Sequence, residues 1–361
     1  MKKFYEYDGN MVLNFTNVAT DKEDVKFFDI REEPFEVYGF YDYKNGDIFR
    51  RLPDEFAADI SRGVAAAQRE AAGGRVRFST DSQYVAIRAS FERVGSNSRT
   101  PQLGIAGFDL YIDTEFGSRF YRPLIPPYDV TDGYETYIGF PDRKMRHITI
   151  NFPYHTVVKK LEVGLQKDSE LGNGMKYRND RPVIFYGSSI THGTAASRPG
   201  LIYENILSRR LNMNYTNLGF GGSAAGEKQM AEYMAKLDMC MFVCDYDYNA
   251  ADEKALVNTH KNLYKTIRDK KPDIPYIIIS KPDFAYRPKE SEKRRSVIYD
   301  TYKYACDSGD ENVYYIDGSS IFRGRDWDNC FNDTLHPNDI GFLKMADALE
   351  PVIEKAFAKN I

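Results

Sequence analysis

The sequence predicts two fold classes in one chain: an all-β domain first, then an α/β domain built on a parallel sheet. Three observations carry this. Up to about residue 168, short β-branched or aromatic runs recur with period two, each bounded by Gly, Pro, Asn or Asp. Beyond a polar stretch, five apolar runs alternate with helical patterns, the order of parallel strands covered on both faces. A length of 361 residues also suits two domains at roughly 100–200 residues each.

In the first half the clearest strands are Val85–Phe91, Phe108–Asp113, His147–Phe152 and Leu161–Leu165, which argue for a β-sandwich. Glu55–Ala72, Ala-rich with mixed charge, reads as a short helix. Lys167–Arg181 is polar, holds two glycines and has no period. The boundary falls there, giving domains 1–176 and 177–361. The strands of the second half are Pro182–Tyr186, Tyr215–Leu218, Met239–Cys244, Tyr276–Ile279 and Val313–Ile316. The helices are Leu201–Leu211, Glu227–Leu237, Ala251–Lys270, Glu290–Cys306 and Pro337–Ala358, and Pro199 and Pro337 suit a helical first turn.

Composition narrows the function. Lys+Arg total 49 and Asp+Glu 53, a net charge of −4, without the concentrated positive charge a nucleic-acid or anionic-membrane partner needs. No run of about 18 apolar residues exists, so no transmembrane helix is expected. Met1–Glu6 is charged with no apolar run behind it, which is not a secretory signal; a cytoplasmic location is expected. Among Cys240, Cys244, Cys306 and Cys330 the one close pair is C-x3-C with no second pair following, and the five histidines show no ligand spacing, so neither a disulfide framework nor a metal site is expected. Tyrosine (27) and phenylalanine (23) are abundant beside one tryptophan. A tyrosine-rich sheet either packs its own core or presents rings to sugars.

Ligands of open parallel sheets sit at the carboxyl ends of the strands. The first such end runs into Gly187-Ser188-Ser189-Ile190-Thr191-His192-Gly193, where a serine flanked by glycines stands exposed. A hydroxyl becomes a nucleophile when a histidine takes its proton and a carboxylate holds that histidine. Asn332-Asp333-Thr334-Leu335-His336-Pro337 follows the last strand, and the three-residue spacing of Asp333 and His336 is close to one helical turn. A helix N-terminus beside His336 would keep the ring neutral, as a general base requires. The competing reading makes Asp333 a helix cap and His336 a surface residue.

Between them, Asn217–Ala224 is a glycine-rich turn whose amides suit an oxyanion; it also fits the dinucleotide pattern G-x-G-x-x-A over Gly219–Ala224, with Asp245 on the next strand. The loop after that strand carries Asn249, either an oxyanion donor or the cap of the next helix. His192 is a candidate for lining the pocket, and Ser197–Gly200 reads as a helix start with Arg198 available to a pocket.

Taken together the four loops resemble the SGNH hydrolase superfamily, the GDSL-type esterases, whose blocks supply a serine, a glycine, an asparagine and Asp-x-x-His in that order. Here they are Gly187–Gly193, Asn217-x-Gly219-x-x-Gly222, Asn249 and Asp333-x-x-His336-Pro337. Two departures stand out. Ser188 replaces the usual Asp before the nucleophile, and the third block lacks Gly-x-Asn-Asp. The resemblance covers about residue 180 onward and extends to a subgroup with an N-terminal, jelly-roll-like β-sandwich. It implies a three-layer α/β/α, flavodoxin-like hydrolase domain. It further implies Ser189 as nucleophile, His336 as base and Asp333 as its orienter. The oxyanion would be held by the amides of Ser189 and Gly222 with the Asn249 side chain. No cofactor or metal is implied. The expected activity is a serine esterase removing a small acyl group, acetyl foremost, from a carbohydrate or related small-molecule ester. The alternatives are a dinucleotide-dependent oxidoreductase using Gly219–Ala224 and a non-catalytic carbohydrate-binding protein.

Overall fold

The structure, a computed structural model, describes residues 22–282 and 285–360, so the Met1–Glu6 segment read for a leader lies outside the described residues. Along the chain, β1 (Val25–Asp29) and β2 (Glu36–Tyr38) precede two short helices, α1 (Asp54–Ile60) and α2 (Arg62–Ala67). Then come β3 (Arg75–Thr80), β4 (Tyr84–Val94), α3 (Gln102–Ala106), β5 (Phe108–Thr114), β6 (Gly117–Leu124), β7 (Gly133–Gly139), β8 (Arg146–Asn151), β9 (Thr156–Gln166) and β10 (Leu171–Asn173). The second half runs β11 (Val183–Gly187), α4 (Ser189–His192), α5 (Tyr203–Leu211), β12 (Tyr215–Gly219), α6 (Lys228–Met234), β13 (Met241–Asp245), α7 (Glu253–Lys270), β14 (Tyr276–Ile279), α8 (Pro288–Asp307), β15 (Val313–Ile316) and α9 (Asp339–Asn360).

The chain forms two compact units. One holds the described residues up to Leu52, Arg69–Lys176 and Ser197–Gly200; the other holds Pro53–Gln68, Tyr177–Ala196 and the chain from Leu201. A single cut at residue 176 therefore does not divide it. The α1–α2 segment goes with the second unit, where Phe56 stacks on Tyr233 of α6 with centroids 4.3 Å apart. The expected single helix Glu55–Ala72 is two helices broken at Ser61, whose hydroxyl accepts the Val64 N–H at 3.1 Å and caps the second.

In the first unit all pairing is antiparallel: a four-stranded sheet in the order β1-β9-β4-β7 and a second in the order β10-β3-β8-β5-β6, with β2 also on β3. Both sheets feed one apolar core, Val85, Ile87, Leu161 and Val163 from the first and Val76, Phe78, Phe108, Leu110, Ile148 and Ile150 from the second. This is a sandwich. Period two puts Phe108 and Leu110 of β5 in that core, so Asp109, Tyr111 and Asp113 share the other face. Asp109 is fully buried there. Its carboxylate accepts from Asn151 Nδ2 (2.8 Å), Arg198 Nη1 (2.7 Å) and the Gly200 amide (2.8 Å). Arg198 also donates to the Tyr111 hydroxyl at 2.6 Å and lies 3.7 Å over the Phe120 ring. This corrects the reading of Ser197–Gly200 as a helix start with Arg198 open to a pocket. Pro199–Leu201 is one 3-10 turn, α5 begins at Tyr203, and Arg198 is committed to Asp109 and Tyr111.

The second unit is a five-stranded parallel sheet in the order β12-β11-β13-β14-β15, the flavodoxin-like order 2-1-3-4-5. Helices connect its strands as the alternation in the sequence requires. The order in which strands are added reverses at β11, and Gly187 is in register with Gly219 on one side and Asp245 on the other. Three strands thus end level, which brings their following loops to one place. Among the described residues no helix is long and apolar enough to cross a membrane.

Candidate active site

The nucleophile loop explains which of two adjacent serines is free to react. Ser188 is fully buried, and its hydroxyl accepts the Ile190 N–H at 3.2 Å, capping α4. The residue that departs from the family pattern is therefore a helix cap. Ser189 is the first helical residue and is partly exposed. Its amide is one of the donors a helix start leaves unpaired. Asn217 on β12 braces this turn by donating to the Thr191 carbonyl, and Gly219 lies so close to the Thr191–His192 backbone that any side chain there would collide. His192, a candidate for the pocket wall, is buried at the end of α4.

The base arrives from the far end of the chain. Ser189 Oγ lies 3.0 Å from His336 Nε2, and His336 Nδ1 lies 2.9 Å from Asp333 Oδ2. The spacing works differently from the expected helical turn. Residues 332–336 form a bend outside any helix, closed by Asn332 N–H donating to the His336 carbonyl at 3.0 Å. Asp333 Oδ1 accepts the Leu335 amide at 2.9 Å and the His336 amide at 2.6 Å, folding the loop around the carboxylate. Neither Asp333 nor Pro337 starts α9; Asn338 does, its side chain accepting from the Ile340 and Gly341 amides. Burial pushes the Asp333 carboxyl up, but the two amides and the imidazole outweigh it and hold the group well below the usual carboxylate range. An ionised carboxylate on Nδ1 fixes the tautomer with a bare Nε2 toward the serine. Asn332 Nδ2 also donates to the Ala195 carbonyl at 3.3 Å, tying this loop to the chain leaving α4.

Two further loops carry the other residues expected to donate, Gly222 and Asn249. Gly221 flanks Ser189: a Cβ placed on it would sit 3.4 Å from the Ser189 Cβ. Gly222 follows with φ of +70°, a conformation that favours glycine, and opens onto empty space. Asn249 ends a 3-10 turn, Asp247–Asn249, and gives one amide hydrogen to the Phe220 carbonyl at 2.9 Å, leaving the second for a ligand. It is not the cap of α7. Asp252 is, accepting the Ala255 amide at 2.8 Å. The dinucleotide reading fails at both of its requirements. α6 begins only at Lys228, so no helix N-terminus meets the Gly219–Ala224 turn. Asp245 is buried against Thr191, with its carboxyl driven far above the usual range first by burial and then by Asp247, and cannot reach a ribose.

Two features near these loops were missed by sequence reasoning. Tyr286, Trp327 and Phe331 form an aromatic cluster, with Tyr286 centroids 4.6 Å from Trp327 and 5.3 Å from Phe331. Phe331 is two residues before Asp333, so the cluster is anchored on the loop that carries the acid; burial first, then the negative charges of Asp328 and Asp333, raises the Tyr286 hydroxyl. The available signal was the position of the one tryptophan just before Asp333. Gly63, between α1 and α2, packs so tightly on Ser223 that a Cβ would overlap its side chain. Nothing in the local sequence marks that approach.

Residues 180–354 match the GDSL-like Lipase/Acylhydrolase family, and residues 25–171 match the family described as "N-terminus of Esterase_SGNH_hydro-type". The chain belongs to the SGNH, or GDSL-type, hydrolases. As an SGNH hydrolase it is a carboxylic ester hydrolase. The second family is named GxDLY, and this SGNH hydrolase carries that pattern as Gly107-x-Asp109-Leu110-Tyr111, the segment whose Asp109 and Tyr111 hold Arg198. No curated protein matches the chain. Solved structures share its fold. One, described as a GDSL-like lipase from Bacteroides ovatus, is 24% identical with a TM-score of 0.82 over 92% of this chain and 98% of that one. The salicylyl-acyltransferase SsfX3 of a tetracycline biosynthetic pathway is 18% identical, TM-score 0.74, over 93% and 98%. A family two carbohydrate esterase from Clostridium thermocellum, in complex with cellohexaose, is 16% identical, TM-score 0.57, over 80% and 93%.

Proposed function

We propose that this SGNH hydrolase removes a small acyl group, acetyl foremost, from a carbohydrate ester through an acyl-enzyme on Ser189. The observation that carries the chemistry is the continuous chain Ser189 Oγ, His336, Asp333, with separations of 3.0 and 2.9 Å. Ser189 Oγ attacks the ester carbonyl carbon while His336 Nε2 takes its proton. The negative oxygen is held by the amides of Ser189 and Gly222 and the second N–H of Asn249. Collapse breaks the acyl–alkoxy bond, and His336 passes its proton to the leaving alcohol. Water then attacks the acyl-enzyme with the same ring as base. Asp333 keeps the imidazole oriented and offsets its transient positive charge.

A sugar alcohol is supported by two things: the carbohydrate esterase among the fold neighbours, and the Tyr286–Trp327 rings packed with Phe331 on the loop that leads to Asp333, whose flat apolar faces suit the C–H face of a pyranose. A full and correctly spaced catalytic set argues against an inert binding protein.

The chemistry is tested with a fluorophosphonate probe and acetate release. Labelling should fall on Ser189, and Ser189→Ala should lose both labelling and turnover. Asp333→Asn should lower kcat by about 10²–10⁴-fold. A Ser189→Ala protein that hydrolyses p-nitrophenyl acetate at the parent rate would refute the assignment. For the alcohol, acetylated oligosaccharides are compared with p-nitrophenyl esters of rising chain length. Trp327→Ala is expected to lower kcat/KM on the oligosaccharide by about tenfold, the value of one good ring stacking, while sparing p-nitrophenyl acetate. Equal losses on both substrates would remove the sugar assignment.

A further inference from the structure

Asn249 sits on a single 3-10 turn, Asp247–Asn249, closed by the Asn249 amide on the Tyr246 carbonyl (3.0 Å) and the Ala250 amide on the Asp247 carbonyl (3.2 Å), with no side-chain cap. α8 adds a brace from outside the turn. Arg294 is buried, with one guanidinium nitrogen donating to the Asp247 carbonyl at 2.8 Å and to Asp247 Oδ1 at 3.1 Å. Its other terminal nitrogen donates to the Ala250 carbonyl at 2.7 Å. The two anchored carbonyls bracket Asn249. Asp247, 1% exposed, accepts the Lys281 amide on its second oxygen at 3.1 Å, which pins the turn to the chain leaving β14. A planar fork is the side chain able to hold two carbonyls in fixed relation; an ammonium on the same stem is not. Arg294 lies on the buried stripe of α8, Ser291, Arg294, Ile298, Thr301 and Ala305, and is the one charged side chain in it, so the helix's packed face carries its guanidinium inward.

We propose that Arg294, with Asp247 as its counter-ion, is a positioning residue for the oxyanion site: it fixes the turn that points the Asn249 amide at the developing charge. This deepens the assignment of Ser189 and Asn249 and rests on it. Arg294 touches no reacting atom, so its effect on turnover passes through Asn249.

The experiment is a double-mutant cycle on the full chain with p-nitrophenyl acetate, read as kcat and KM separately, together with fluorophosphonate labelling of Ser189. Arg294→Met is expected to lower kcat by about 10–100-fold with KM little changed, since the hydrogen bond from Asn249 to the oxyanion exists only in the transition state. In an Asn249→Ala background the same substitution should lower kcat by less than about threefold, because its target is already gone. Should Arg294→Met fail to fold, Arg294→Lys, which keeps the charge and loses the fork, is read in the same cycle with the same expectation. Equal losses in both backgrounds, in a parent that labels at Ser189, overturn the positioning role alone. A parent that does not label at Ser189 overturns the catalytic assignment, and the positioning role with it.

Discussion

His260 is a ring the chemistry does not use, and its surroundings fix its charge. It lies fully enclosed on α7, with Nδ1 2.9 Å from Thr301 Oγ1 and its face 5.7 Å from the Tyr246 ring. Burial lowers its pKa to about 3. An unfolded histidine titrates near about 6.5, so between about pH 6.5 and 3 the unfolded chain binds a proton that the folded chain refuses. Stability is therefore lost as pH falls through that window, by up to about 1.4 kcal/mol per pH unit from this residue. Asp333 acts at lower pH: its carboxyl is depressed from 3.8, so the stability it contributes is present above that value and is lost as pH falls below it, overlapping only the acid end of the His260 window. His260→Gln retains an amide for Thr301 and cannot charge; urea midpoints at pH 7, 6, 5 and 4 should decline less steeply than in the parent. Identical slopes would mean the ring is not buried neutral. At this scale Ser189, Asp333 and His336 were legible in the sequence because nucleophilic chemistry demands those three types together. The choice of Ser189 over Ser188 needed the cap hydrogen bond, and Arg294 was hidden because an arginine on a charged helix looks like any solvated one.

Strands were the most legible elements, since a buried parallel strand is an apolar run and nothing else nearby is. Helix starts were less so, because a proline permits a start without specifying it: Pro337 precedes the Asn338 cap, and Pro199 belongs to an isolated turn. What the period-two pattern of β5 could not reveal is that its polar face is also buried. Asp113 there accepts from Arg77 Nη2 on β3 at 3.0 Å and from Thr149 Oγ1 on β8 at 2.6 Å, an ionic bridge across three neighbouring strands. Arg77 is 3% exposed. Removing Asp113 takes the carboxylate away from a buried guanidinium, so Asp113→Ala should cost about 3–5 kcal/mol. Replacing both groups, as Arg77→Leu with Asp113→Leu, should recover much of that loss, since the desolvation cost disappears together with the attraction. Denaturant midpoints of the single and double variants check this; a single variant as stable as the parent would show the bridge contributes nothing.

At the scale of the whole molecule, the change of rhythm near residue 170 marks where the sandwich strands end, yet it does not mark all of what the hydrolase unit needs. That unit also takes Pro53–Gln68, while the sandwich unit takes Ser197–Gly200. Sequence rhythm reports the period of each element, not the partner an element packs on, and a short amphipathic helix carries no address. The consequence is a test by truncation. A fragment 177–361 keeps every strand of the parallel sheet together with Ser189, Asn249, Asp333 and His336. It loses Phe56 from the face of Tyr233 and Gly63 from Ser223, and it loses Asp109 as acceptor for the Arg198 side chain and the Gly200 amide. Exposing an aromatic ring and freeing a loop each remove stability from a unit whose total margin is only about 5–15 kcal/mol. The fragment should melt at least about 5 °C below the full chain, or aggregate, and label with fluorophosphonate more slowly. The same fragment supplied with residues 53–68 through a flexible linker should regain part of the loss. A bare 177–361 fragment that melts and labels like the full chain would show that neither the α1–α2 segment nor the Asp109 hydrogen bonds matter to the hydrolase unit.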